Sequence, residues 1–88
     1  MSEALVLEEI RRYQQQGQLK AALLACELAC IAAPESLALL ALAGILAAQN
    51  KECERARNIL TQLETDPRFP SLNASVLTDI AGIYILLG

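Results

Sequence analysis

The chain has no histidine and no tryptophan, and among its 88 residues are one phenylalanine and two tyrosines. Without histidine the commonest general base is missing, and a tetrahedral metal site has too few ligands. There is no glycine-rich phosphate loop, no Ser/His/Asp or Cys/His arrangement and no Cys-x-x-Cys pair. Catalysis, a bound metal and a cofactor are therefore not expected. Positive charge is scarce too: seven Lys and Arg stand against ten Asp and Glu, a net charge of -3, and only Arg11 and Arg12 are adjacent. A nucleic-acid surface needs a basic stripe, so nucleic acid is not an expected partner.

Two further absences concern location. The opening residues Met1-Ser2-Glu3-Ala4-Leu5 carry an acid where a secretory leader would carry positive charge. The longest apolar run, Leu37 to Ala48, is shorter than the roughly 20 residues a membrane span requires, so a buried helix is the better reading. Cys26 and Cys30 lie one helical turn apart with parallel Cβ vectors, which is poor disulfide geometry. Together with an odd cysteine count this favours a reducing, cytoplasmic compartment. Both thiols read as small buried hydrophobes, and Cys53 as a packing residue of a turn. Asn73-Ala74-Ser75 matches a glycosylation sequon, a chance match for a chain with no leader.

What the chain does have is apolar surface: 55% of residues are hydrophobic and 19% charged. A chain this short buries only roughly 60–65% of its unfolded surface, so it holds more apolar area than it can hide. Periodicity and turn residues predict five helices. The first runs from Glu3 to Gln16 and stops at Gly17, with Val6, Leu7, Ile10 and Tyr13 on one face. The second runs from Leu19 to Ala33 and stops at Pro34, packing through Ala22, Leu23, Cys26, Ala29 and Cys30. The third, Ser36 to Gln49, has no charge between its ends and must be covered all round. Its own repeat and the adjoining ones cover about two-thirds of that circumference, which leaves a face for something else.

The fourth helix, Glu52 to Glu64, turns Cys53, Ala56, Ile59, Leu60 and Leu63 inward and Glu54, Arg55, Arg57 and Asn58 outward. Thr65 to Ser71 is a loop, because Pro67 and Pro70 cannot sit inside a helix. The fifth helix runs from Leu72 to Leu87 and stops at Gly88. Tyr13, Gly17, Leu19, Ala22, Ala29 and Pro34 sit at the spacings of a helix–turn–helix repeat. Ala81, Tyr84 and Gly88 begin another, and Ala56 follows Ala22 by 34 residues. Tyr13 and Tyr84 are two such periods apart, with three residues inserted in the loop before the fifth helix. Self-similarity at this period predicts an all-α solenoid of antiparallel helix pairs in one domain, residues 1–88. Its repeats cover about 3–36 and 37–73, with a half repeat over 74–88.

These residues resemble the tetratricopeptide repeat. The middle repeat departs from the pattern, with Ala47 at the aromatic position and Lys51 at the turn glycine. In that family the first helices of successive repeats line a concave groove. The resemblance places Leu7, Arg11 and Gln14, then Ala41, Ile45 and Ala48, then Thr78, Gly82 and Ile85 on it, and implies a protein partner. Each trio has i, i+4, i+7 spacing and shares a helix face. A groove with a small apolar middle and a polar rim suits an amphipathic partner helix. Burying about 300 Å² there would give roughly 7 kcal/mol before association costs. The family's carboxylate-clamp mode is set aside, since Arg11 alone offers positive charge.

The size, acidity and apolar groove are similar to the small chaperones of type III secretion, which implies sequestration of a self-assembling subunit. Ile45→Asp or Ala41→Arg is then expected to abolish binding with the helices intact. The alternative reading is a fragment of a longer repeat scaffold, or a homodimer through the last helix. Solenoids need a polar terminal cap, and the run Ile83 to Gly88 provides none.

Overall fold

The computed structural model describes residues 3–71 and 74–87. Among these the protein is all-α, with five helices in the order α1 (Glu3–Gln15), α2 (Leu19–Ala32), α3 (Leu37–Gln49), α4 (Cys53–Thr65) and α5 (Ala74–Leu87). A short 3-10 turn, Phe69–Ser71, lies inside the predicted loop. Leu72, Asn73 and Gly88, which carry the predicted start of α5, the sequon asparagine and the final stop, lie outside the described residues.

The 34-residue period is visible in the backbone itself. At the α1–α2 turn, Gln16 N–H donates to Arg12 O, Gly17 to Gln14 O, Gln18 to Tyr13 O and Ala22 to Gln18 O, at 3.0–3.1 Å. At the α3–α4 turn, Asn50 donates to Leu46 O, Lys51 to Ala48 O, Glu52 to Ala47 O and Ala56 to Glu52 O, at 2.8–3.1 Å. Every donor and acceptor in the second set lies 34 positions after its counterpart in the first. Both sets close the helix end with the paired bonds of a Schellman motif, which needs a left-handed residue just past the end. Gly17 supplies it at φ 78° and Lys51 at φ 64°. Lysine therefore adopts the glycine conformation at the place where the repeat pattern is broken in sequence. Ser36 caps α3, its hydroxyl oxygen accepting from Leu39 N–H at 3.3 Å.

Packing is centred on α3, which lies against α2, α4 and α5, while α1 leans on α2. Residues 41–48 are all buried. This corrects the expectation that the third helix keeps an uncovered face. The reason is α5, which folds back across it at close range. An ideal Cβ on Gly44 would lie 2.6 Å from Ile83 Cδ1 and 3.0 Å from Ile59 Cγ2. One on Gly82 would lie 2.8 Å from Ile45 Cδ1. The two glycines mark where α3 and α5 come together, and the absence of a side chain at each is what lets the isoleucine opposite fit.

The rest of the core follows the predicted stripes, with one exception. Ile10, Ala22, Leu23, Cys26, Ala56, Ile59, Leu60 and Leu63 are buried. Cys26 also donates its thiol to Leu39 O at 3.2 Å, tying α2 to α3. Cys53, expected to pack, is exposed at the first position of α4. It stands one turn before Ala56, the first buried residue of the helix, at the edge of the core.

Candidate functional site

The nine residues expected to line a groove separate into three environments. On α1, Leu7, Arg11 and Gln14 are half-buried. On α3, Ala41, Ile45 and Ala48 are 0%, 6% and 7% exposed. On α5, Thr78 is exposed, Gly82 half-buried, and Ile85 78% exposed. Thr78 directs its hydroxyl back to Ala74 O at 2.8 Å. The α3 trio is thus core, sealed by α5, and does not form the floor of an open groove. Ile45→Asp and Ala41→Arg would place a charge in that core, so they report on stability rather than on binding.

Two polar cross-links hold the α1 trio inside the molecule. Arg11 meets the Asp79 carboxylate in a forked pair, Nη2 to Oδ2 at 2.8 Å and Nη1 to Oδ1 at 3.5 Å. Gln14 Nε2 donates to Gln49 Oε1 at 2.9 Å. The first link joins α1 to α5 and the second joins α1 to α3. Arg11, the one cation expected on the groove, is therefore neutralised by a partner within the chain. Asp79 is buried, and it is the residue that sequence reasoning missed. Its signal was available: it is the only charged residue in α5. A single acid in an otherwise uncharged helix needs a cation close by once that helix packs.

The thiols form a second small cluster on α2. Cys26 is buried and Cys30 half-buried one turn later. Interaction with the Cys26 thiol holds the Cys30 thiol below its ordinary range. The same interaction, with burial, pushes Cys26 above it. Among the described residues no group of three or more Cys, Asp or Glu side chains is placed to hold a metal.

The apolar surface that stays in solvent lies on the two outer helices. On α5, Leu77, Tyr84, Ile85 and Leu86 are exposed. Tyr84 donates its hydroxyl to the Glu64 carboxylate of α4, and that bond raises its pKa above the usual phenol value. On α2, Leu24, Leu28 and Ile31 are exposed on the side away from Ala22, Leu23 and Cys26. A depression of about 670 Å³ lies beside the α2–α3 turn and is rimmed by Glu3, Glu35, Ser36 and Arg68. Its charges are mixed in sign and show no convergent set of catalytic groups. No helix among the described residues is long and apolar enough to cross a membrane. No protein-family model matches this chain, and comparison with curated proteins and with solved structures gives no match either.

Proposed function

We propose that this is a non-catalytic helical-repeat module, of tetratricopeptide type, that binds another protein through apolar helix surface. The observation that carries this reading is the outer face of α5, where Leu77, Tyr84, Ile85 and Leu86 stand in solvent. Exposed apolar patches of a few hundred Å² on single molecules are often functional. Ile85 was expected to contact a partner on sequence grounds, and it is 78% exposed. The apolar floor predicted on α3 gives way to this edge, since α5 covers α3. A partner helix lying along α5 would stand to it as α2 stands to α1 and α4 to α3.

The narrower form of the reading is a chaperone that sequesters a self-assembling subunit. It rests on the likeness to type III secretion chaperones, and the mechanism would be coverage of an aggregation-prone helix by the α5 edge. The test uses the tagged chain as bait in its native cells, with Ile85→Asp as the comparison. Ile85 is exposed, so the variant should keep its helical circular dichroism. Proteins captured by the parent and lost from the variant support the proposal. Identical capture by both baits takes the α5 edge out of it.

A further inference from the structure

Each repeat pairs a first helix with a second, α1 with α2 and α3 with α4, and among the described residues α5 has no such second helix. The face that would receive one follows from the register. Adding 34 positions carries Val6, Ile10 and Tyr13 of α1 onto Leu40, Gly44 and Ala47 of α3, and a further 37 carries these onto Leu77, Ala81 and Tyr84 of α5. On α1 the three are half-buried or buried, and α2 is the helix packed on it. On α3 they are again half-buried or buried, and α4 reaches them: an ideal Cβ on Gly44 would lie 3.0 Å from Ile59 Cγ2. On α5 all three are exposed. One face is thus covered by a helix in two repeats and open in the third.

The two covered faces also show how a second helix is matched to a first. α1 sets large side chains, Ile10 and Tyr13, beside a helix with Ala25 and Ala29. α3 sets small residues, Gly44 and Ala47, beside a helix with Ile59 and Leu63, which stand 34 positions after those alanines. Bulk on one helix is met by its lack on the other, as close packing requires. Ala22 and Ala56, fully buried at equivalent places, do not vary. On α5 the sizes are mixed, since Ala81 is small and Tyr84 large.

We propose that α5 seats one helix of a partner protein in the place that α2 and α4 take on α1 and α3, running antiparallel to α5 and carrying the pattern Ala-x-x-Ile-Leu-x-x-Ala. The first alanine takes the place of Ala56. Isoleucine then meets Ala81 as Ile59 meets Gly44, and leucine fills the place of Leu60. The last alanine, at the place of Ala29, leaves room for the Tyr84 ring. The direction follows from the short links 16–18 and 50–52, which return each second helix antiparallel to its first. Tyr84 is tied to Glu64 of α4, so its ring is in position before a partner arrives.

A second copy of this chain does not supply such a helix. Its α2 has Ala25 where bulk is needed, and its α4 has Leu63 where the Tyr84 ring stands. Both are also packed within their own repeats. The inference rests on the reading of α5 as a binding edge and adds the chemistry and direction of what binds there.

The experiment uses the intact 88-residue chain and two fluorescent helical peptides, read by anisotropy. The matched peptide carries Ala-x-x-Ile-Leu-x-x-Ala; the second replaces the last alanine with leucine, as in α4, and is otherwise identical. The parent should bind the matched peptide about tenfold more tightly, because the extra bulk is forced against the ring. Tyr84→Ala gives α5 the residue that α3 carries at this place, so it should keep the helical circular dichroism of the parent and reverse the preference. Leu77→Asp, at another exposed position, should lose both peptides. Equal affinity of the parent for the two peptides, an unchanged preference in Tyr84→Ala, retained binding by Leu77→Asp, or no binding at all overturns the proposal. So does a parent dimer in sedimentation that Leu77→Asp converts to a monomer, since the occupant would then be a second copy. Proteins captured by the parent and lost from Ile85→Asp, with neither peptide bound, would leave the α5 edge standing and remove this seat alone.

Discussion

α3 and α5 are both strongly apolar helices, and the fold treats them in opposite ways. Neighbours α2, α4 and α5 surround α3, while among the described residues α5 packs mainly on α3 and α4, with α1 reaching it through the Arg11–Asp79 pair. Ala47 and Ala48 correspond to Tyr84 and Ile85 once the three-residue insertion is allowed for. The alanines are buried and their counterparts stand in solvent. Apolar content therefore states how much surface a helix must hide, and the number of neighbours decides how much it does hide. The side chains agree with that division. Small residues fill the crowded middle of α3, where Gly44 admits Ile83, while large ones stand on the open side of α5.

The largest effect that would break this comparison comes from one truncation made on each helix. Leu46 is fully buried and Leu86 half exposed. Leu46→Ala removes core contacts and leaves a cavity, and should cost about 2–5 kcal/mol by urea denaturation. In a domain of this size that is a large fraction of the total stability. Leu86→Ala should cost below about 1 kcal/mol, because most of the deleted surface is already in water. Similar costs for the two would mean that α5 is covered as thoroughly as α3.

An intermediate effect is expected where α5 is held to the other end of the repeat array. Asp79 has 11% of its side chain exposed and Arg11 35%. Breaking a buried pair from one side costs about 3–5 kcal/mol, and solvent at the guanidinium lowers the figure here to about 1–3 kcal/mol. Arg11→Ala should show that loss by urea denaturation. Adding Asp79→Leu should recover part of it, because the double variant leaves no uncompensated carboxylate in the core. A cost for Arg11→Ala under about 0.5 kcal/mol, the size of an ordinary surface change, would show that the α1–α5 link is incidental.

The helices and their order were legible because each is bounded by residues with local effects: Gly17, Pro34 with Ser36, and Pro67 with Pro70. The period was legible because repeated turns need repeated residues. The burial of α3 was not, since it depends on how far α5 folds back, a long-range matter that no local pattern encodes. Arg11 was read as a groove cation for the same reason. Its partner lies 68 residues away and becomes visible only once α1 and α5 are placed together. On α2 the packing stripe Ala22, Leu23 and Cys26 is legible from helical period alone, whereas the contrast of Leu24, Leu28 and Ile31 with Asn58, Gln62 and Thr65 depends on the 34-residue register.

That register is sharpened by the smallest effect, at the turns that open α2 and α4. Gly17 and Lys51 share one backbone conformation and one hydrogen-bond pattern, and glycine alone adopts it without a steric penalty. A side chain in the left-handed region costs about 1–2 kcal/mol. Glycine gives back about 0.5–1 kcal/mol of this through the greater freedom of the unfolded chain. Lys51→Gly should therefore stabilise the protein by about 0.5 kcal/mol, and Gly17→Ala should destabilise it by a similar amount. Both should appear as shifts of the urea midpoint with the slope unchanged, since neither alters the surface exposed on unfolding. The opposite signs are the informative part. If Lys51→Gly proved destabilising, the lysine would be making a contact that outweighs its strain, and the two turns would be alike in backbone but different in energetics.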